Sequence, residues 1–312
     1  MLAPGPLREN PMQQAISRSR FSFDSTYAAL TLTTLLWSSN FIIGRAFRDD
    51  ITPSTLNFLR WSIAFAVLLP FTLNDLRAHR AVIARHWKLF ALLGLTGIAA
   101  FQTLVYMALT MTGALNTVLL LSFAPLAIVG VSWAVLGEPI TRGQALGLVT
   151  SLCGAAVLVL RGDFAALDTL HFNGGDLLML LAVIAWTTYS VLLKRRPAEI
   201  PPLAVHTLSV GTGTLWMLPL FALQVAHGRG MPASMSAWMA VAFIAIFSSA
   251  FAHGLWVRGV AAIGPNRASV FIHLLPLFGG ALAIVFLGEQ LAAYHIVGAV
   301  LVLSGVALAS RT

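Results

Sequence analysis

Four pairs of polar and aromatic residues stand out because they sit inside otherwise apolar stretches at helical spacing. Trp37 and Asn40 are three apart, as are Trp186 and Tyr189 and also His253 and Trp256; Gln102 and Tyr106 are four apart. Each pair therefore shares one face of a helix. Ser122 and His273 add single polar groups to two further apolar stretches. Polar groups at membrane depth are costly and face a bundle interior. Aromatic faces attract ammonium groups, and kinked helices expose termini that hold carboxylates. The chemistry on offer is thus reversible binding of a small solute. A catalytic reading needs a nucleophile, a metal or an acid/base cluster near an interface, and the dense polar group here is uncharged. No catalytic residue is assigned. His253 and His273 lack His, Cys, Asp or Glu partners at ligand spacing, so no metal and no cofactor are expected.

Each of these residues also has a plainer reading. Trp37 and Trp186 are the residue type that anchors helices at a membrane surface, although Trp37 lies deep in its segment. Ser38, Ser39, Thr187 and Thr188 suit helix–helix packing. The two histidines suit buried, hydrogen-bonded positions. Arg60 falls within two turns of the end of its segment, where a long side chain snorkels to the interface. Cys153 lies in an apolar segment and reads as an inert thiol.

The elements that must position these residues are long apolar segments. Charged residues make up only 10% of the 312 and hydrophobic ones 58%, with mean hydropathy +0.85. A soluble domain is about a quarter charged, so the chain is read as an all-α integral membrane protein. A crossing needs about 20 mostly apolar residues. Ten segments qualify: 27–46, 54–73, 88–108, 113–135, 141–160, 175–194, 202–223, 237–257, 265–287 and 292–309. The net charge of +8 sits in short loops without a nucleic-acid module, so no nucleic-acid partner is expected. The first 26 residues have no apolar core and are not a cleavable signal peptide; the first segment serves as the insertion signal.

The pattern is written twice. Gly113, Pro125, Gly137, Glu138, Gly147 and Gly154 each recur 151 residues later as Gly264, Pro276, Gly288, Glu289, Gly298 and Gly305. Trp37, Arg45, Pro53 and Pro70 recur 149 residues later as Trp186, Lys194, Pro202 and Pro219. Five crossings followed by a repeat must invert the second copy, an arrangement of secondary transporters. The organisation read from this is a tail at 1–26, a first five-helix repeat at 27–161, a periplasmic connection at 162–174 and a second repeat at 175–312. Fourteen Lys and Arg lie on the side that carries both termini and four on the other, which places the termini in the cytoplasm. Pro125 and Pro276 each remove a backbone bond and kink a helix near mid-membrane. Gly137 and Gly288 suit left-handed helix ends. Glu138 and Glu289 then stand near the start of the following helix, opposite its dipole. Small residues at Gly143, Gly147, Gly154, Gly298 and Gly305 suit close helix packing, as a scaffold or a dimer seam.

Leu136-Gly137-Glu138-Pro139, Leu287-Gly288-Glu289-Gln290, the two prolines twelve residues before each Glu-containing turn, and Phe58-Leu59-Arg60-Trp61 carry a family resemblance. Over about 27–310 the chain resembles the drug/metabolite transporter superfamily, EamA type, with two five-helix repeats. Within it the chain looks most like the amino-acid exporters. The resemblance implies a carrier in the bacterial inner membrane, with Trp37, Asn40, Gln102, Tyr106, Ser122, Trp186, Tyr189, His253, Trp256 and His273 lining a central path. The expected partners are a small zwitterionic solute and the lipid bilayer, with the protein a monomer or weak dimer. No Asp or Glu lies mid-segment, which disfavours organic cations, and deep Lys or Arg clusters for phosphate are lacking. Organic-phosphate, nucleotide-sugar or drug carriage on the same fold, and more remotely a membrane lipid enzyme, stay open as alternatives. Without a mid-membrane carboxylate, facilitated transport or exchange is expected rather than proton coupling.

Overall fold

The computed structural model of the chain describes residues 25–40, 43, 51–169, 172–227, 231–232, 234–288 and 290–311. All regular elements among them are helices. We number the long ones α1 (25–40), α2 (Pro53–Ala78), α3 (Trp87–Leu109), α4 (114–136), α5 (Arg142–Val159), α6 (Gly174–Leu192), α7 (Pro202–Ala226), α8 (235–263), α9 (265–287) and α10 (Ala293–Arg311). A short helix, Arg80–Arg85, links α2 to α3. Among the described residues, eight helical stretches are long and apolar enough to cross a membrane. One of them, Met235–Phe286, is 52 residues long and contains both α8 and α9. Its backbone breaks at Gly264, where φ is 81° and ψ is 163°. Only glycine adopts that conformation without strain.

Local sequence sets the helix ends. Pro53 and Pro202 start α2 and α7 in the first turn, where a missing N–H costs nothing. Thr141 and Gln144 form a reciprocal cap on α5, and Asn173 and Asp176 do the same on α6. Gly137 and Gly288 end α4 and α9 with φ of 67° and 71°, the left-handed closure that places an N–H on a late carbonyl. Between α3 and α4 the chain turns at 110–113, with the Thr112 N–H bonded to the Ala108 carbonyl.

Regular helix is interrupted at matched places. α3 widens to i→i+5 bonding over Gly94–Ala100, and α8 does so over Ile244–Ala252. α4 is interrupted at Ser122 and Phe123, just ahead of Pro125. α9 tightens to 3₁₀ geometry over Val270–His273, just ahead of Pro276. Wide and tight turns inside long helices concentrate at functional sites.

The most extensive packing joins α5 to α10, followed by α3 to α6 and α3 to α7. α5 and α10 meet through glycines and run antiparallel. A Cβ on Gly147 would stand 2.5 Å from the Gly305 carbonyl, and one on Gly154 would stand 2.9 Å from the Gly298 carbonyl. Without a hydrophobic drive between helices in lipid, such backbone contact supplies the dispersion energy of association. The small residues of this pair are thus used within the chain. α6 is the most enclosed helix, with 56% of its apolar window buried; it carries Trp186 and Tyr189 into the interior.

Candidate functional site

The interior of the bundle holds a continuous group of aromatic and polar side chains from α1, α2, α3, α6, α7 and α8. Trp37 of α1 lies 5.4 Å from Trp186 of α6 and 5.5 Å from Trp256 of α8, centroid to centroid, and Trp186 lies 5.5 Å from Trp256. These separations are in the range of favourable edge and tilted ring pairs. His253 packs against all of Trp37, Trp186 and Tyr189 at 5.4–5.7 Å and shares a 2.8 Å hydrogen bond with the Tyr189 hydroxyl. Phe101 of α3 closes on Trp186 at 4.9 Å. Trp186, Tyr189, His253 and Trp256 are at most 4% exposed. The rings fill the space between them.

The widened turn of α8 fixes this group to its neighbours. Ser248 accepts from Trp37 Nε1 through its carbonyl at 3.3 Å and from Asn40 Nδ2 through its hydroxyl at 2.6 Å. The next residue, Ser249, accepts from Arg60 Nε at its hydroxyl (2.9 Å) and from His206 Nε2 at its carbonyl (3.1 Å). Two consecutive serines of this turn thus meet different helices, as neighbours about 100° apart around a helix do. The matching widened turn of α3 puts Gly97 flat against the Tyr189 ring, where any Cβ would collide with it.

Ser122 and His273 form a separate site beside the α4 and α9 interruptions. A carbonyl only accepts, so His273 Nε2 donates to the Ser122 carbonyl at 3.0 Å, while Nδ1 meets the Ser151 hydroxyl at 2.7 Å. Two grooves open next to this site. One of about 490 Å³ is bounded by Asn116, Phe123, Cys153 and Asp176, and one of about 420 Å³ by Ser122, Leu158, Pro276 and His295. Both prolines therefore stand in the first turn after a helix interruption, and Pro276 borders open space. Gln102 is half-buried, one residue from Phe101.

Two expectations are corrected. Arg60 does not snorkel: it is 4% exposed, held by Ser249 and lying 4.8 Å over the Trp61 ring. Its helix face is turned toward α8, so the side chain extends into the bundle and not along it. A deep cation is therefore present. Glu138 does not head the next helix, because the Thr141 cap starts α5 three residues later. It pairs instead with Lys194 at 3.0 Å, joining the end of α4 to the end of α6, and Pro139 lies in the linker. Glu289 lies outside the described residues. His206, Ser248 and Ser249 were not singled out from sequence, and Trp61 only as part of the Phe58-Leu59-Arg60-Trp61 motif. Single serines in apolar helices suit helix packing as well as a site, so only Arg60 and its motif marked this region. A buried carboxylate, Asp176, accepts from Thr112 at 2.7 Å, from Asn116 at 3.2 Å and from the Asn173 N–H at 2.9 Å. It pins the α3–α4 turn to the start of α6.

Comparison with known proteins gives the class. The profile described as "EamA-like transporter family" matches residues 25–160 and again 173–311. The chain belongs to the EamA-like transporter family. It is an integral membrane protein of a family of transporters, not enzymes. It is 29% identical to the "Probable terminal-alkyne amino-acid exporter" of Streptantibioticus cattleyicolor, over 91% of this chain and 92% of that protein. It is 27% identical to the "Uncharacterized transporter YyaM" of Bacillus subtilis, over 83% and 85%. The "Probable amino-acid metabolite efflux pump" of Salmonella typhimurium matches at 25% identity over 55% of this chain and 58% of its own length. A protein of known crystal structure superposes with TM-score 0.74 at 21% identity, over 92% of this chain and 99% of its own, a likeness of fold.

Proposed function

We propose that this EamA-family protein exports amino acids or related small zwitterionic metabolites by alternating access, through the aromatic cluster around Trp37, Trp186 and Trp256. In this reading ten helices cross a bacterial inner membrane as two inverted repeats, 27–161 and 175–312, joined by 162–174, with the 1–26 tail and the C-terminus in the cytoplasm. The observation that carries it is the contact of Trp37 with Trp186 at 5.4 Å. They hold the same place in the two copies of the sequence pattern. Equivalent residues touch where a local twofold passes between copies, and carriers with inverted repeats bind solute at that interface. The antiparallel glycine contact of α5 with α10 and the double match of the family profile support the inversion. The fourteen-to-four distribution of basic residues supports the orientation.

Solute class is read from the site's chemistry. Three indole rings offer faces to an ammonium group or an apolar side chain. One buried guanidinium, not a cluster, argues against phosphate esters. The names of the exporter and efflux relatives point the same way. The test is counterflow in proteoliposomes across all twenty amino acids. Accumulation of a labelled amino acid against preloaded unlabelled solute, chemically unchanged, is the expected result. Counterflow with sugar phosphates and with no amino acid would end this reading.

A further inference from the structure

Two side chains that carry charge at neutral pH are buried among the described residues, Arg60 at 4% exposure and Asp176 at 2%. They are not partners. Asp176 is saturated by Thr112, Asn116 and the Asn173 N–H. Among the described residues Arg60 has no carboxylate within ion-pair distance; its Nε donates to Ser249, and Tyr106 is the other polar neighbour of its guanidinium. A buried cation without a counter-charge is expensive, and charged groups at membrane depth are retained for what they bind or move.

The surroundings of Arg60 hold unpaired donors and unpaired acceptors. Trp61 Nε1 is buried without an acceptor, and Asn57 Oδ1, one turn earlier on α2, without a donor. His206 and His253 stack on each other at 5.1 Å, and His253 lies within electrostatic range of the same cation. Among the described residues no carboxylate stands in this corner of the bundle. A guanidinium presents a planar fork of N–H groups that matches a carboxylate with two parallel bonds. Consecutive serines tie that fork to the aromatic cluster: Ser249 holds Arg60 while Ser248 holds Trp37 and Asn40.

Resting on the carrier reading above, we propose that Arg60 is the residue that recognises the solute's carboxylate, and that this protein therefore selects carboxylate-bearing solutes over their neutral or purely cationic analogues. The carboxylate replaces the missing counter-charge, and the remainder of the solute lies toward the indole rings. Sequence reading places no solute contact at this position.

The test begins with the unaltered protein, so that it does not depend on a variant folding. Trp61 under the guanidinium provides a fluorescence signal. Purified protein in detergent is titrated with each of the twenty amino acids, and then with the primary amide of the tightest binder. The acid should bind about ten- to a hundredfold more tightly than the amide, the range for a charge-assisted hydrogen-bonded contact. Arg60→Gln should erase that difference, and Arg60→Lys should keep part of it, since lysine offers a point charge without the fork. Equal affinity for acid and amide overturns the proposal, as does the same preference in Arg60→Gln or binding of no amino acid at all. Preference for the acid with no counterflow leaves Arg60 as the anchor and sinks the carrier reading. Counterflow of acid and amide alike does the reverse.

Discussion

His273 Nε2 donates to the carbonyl of Ser122 at 3.0 Å, and the two residues lie 151 positions apart, the same interval that separates the paired glycines and prolines of the two halves. Each sits at the interruption that precedes the proline of its helix. The bond therefore ties one irregular turn to its equivalent. Ser151 adds a second partner from α5. His273→Leu removes both bonds and leaves a buried carbonyl and a hydroxyl to find others. We expect a loss of about 1–3 kcal/mol, read as a lower melting temperature in detergent. His273→Gln should recover part of the loss. An unchanged melting temperature for the leucine variant would show that this bond does not stabilise the fold.

The α5–α10 contact predicts a contrast between glycines. Gly147→Val and Gly305→Val force a side chain into backbone separated by about 2.5 Å from the new Cβ. Overpacking of that kind costs about 1–3 kcal/mol or more, and monodisperse protein should be lost on size-exclusion chromatography. Gly130→Ala, in open space on α4, should be neutral or slightly stabilising, because alanine is the better helix former. Equal tolerance of all three would refute the seam.

Trp186 and Trp256 share ring contacts with Trp37 and with each other. Trp186→Ala or Trp256→Ala should lower counterflow at least about tenfold, given ring contacts worth about 0.5–1.5 kcal/mol each beyond area burial. Protein yield and elution profile should hold. Full transport in both variants would exclude the cluster from the solute path.

Topology is checked by labelling. After the single native cysteine, Cys153, is replaced by serine, a cysteine at Ser17 should react with an impermeant maleimide only from the cytoplasm, and one at Asp168 only from outside. Labelling of both from one face would contradict the orientation drawn from the basic loops.

Energy coupling gives the last expectation. Three buried histidines, His206, His253 and His273, are bound to neutral groups: the Ser249 carbonyl, the Tyr189 hydroxyl, and the Ser122 carbonyl with the Ser151 hydroxyl. Among the described residues none of the three faces a carboxylate that would hold a proton on it. Transport should run down the solute gradient, and an imposed pH gradient should drive no uphill accumulation. Accumulation that disappears in His253→Gln would identify that residue as a proton carrier.

Composition and apolar length by themselves determined that this is a helical membrane protein, because lipid leaves the backbone no other partners than its own. The twin spacing of glycines and prolines carried the repeat, since those residues act locally through the backbone: Gly137 and Gly288 take left-handed φ wherever the helices end. The pairing of Trp37 and Trp186 was legible as equivalence and their contact was not. Helix faces follow from a 3.6-residue period, but which face meets which depends on how several helices cross. The widened turns of α3 and α8 had no sequence signal, because they arise when a packed neighbour is accommodated by one extra residue. The fate of Arg60 turned on them. A charge near a segment end reads as interfacial until tertiary packing supplies Ser249 and a ring to lie on. Glu138 likewise left its helix-start role for Lys194, 56 positions away, since an ion pair across the bundle is set by the crossing of α4 and α6 and by nothing local.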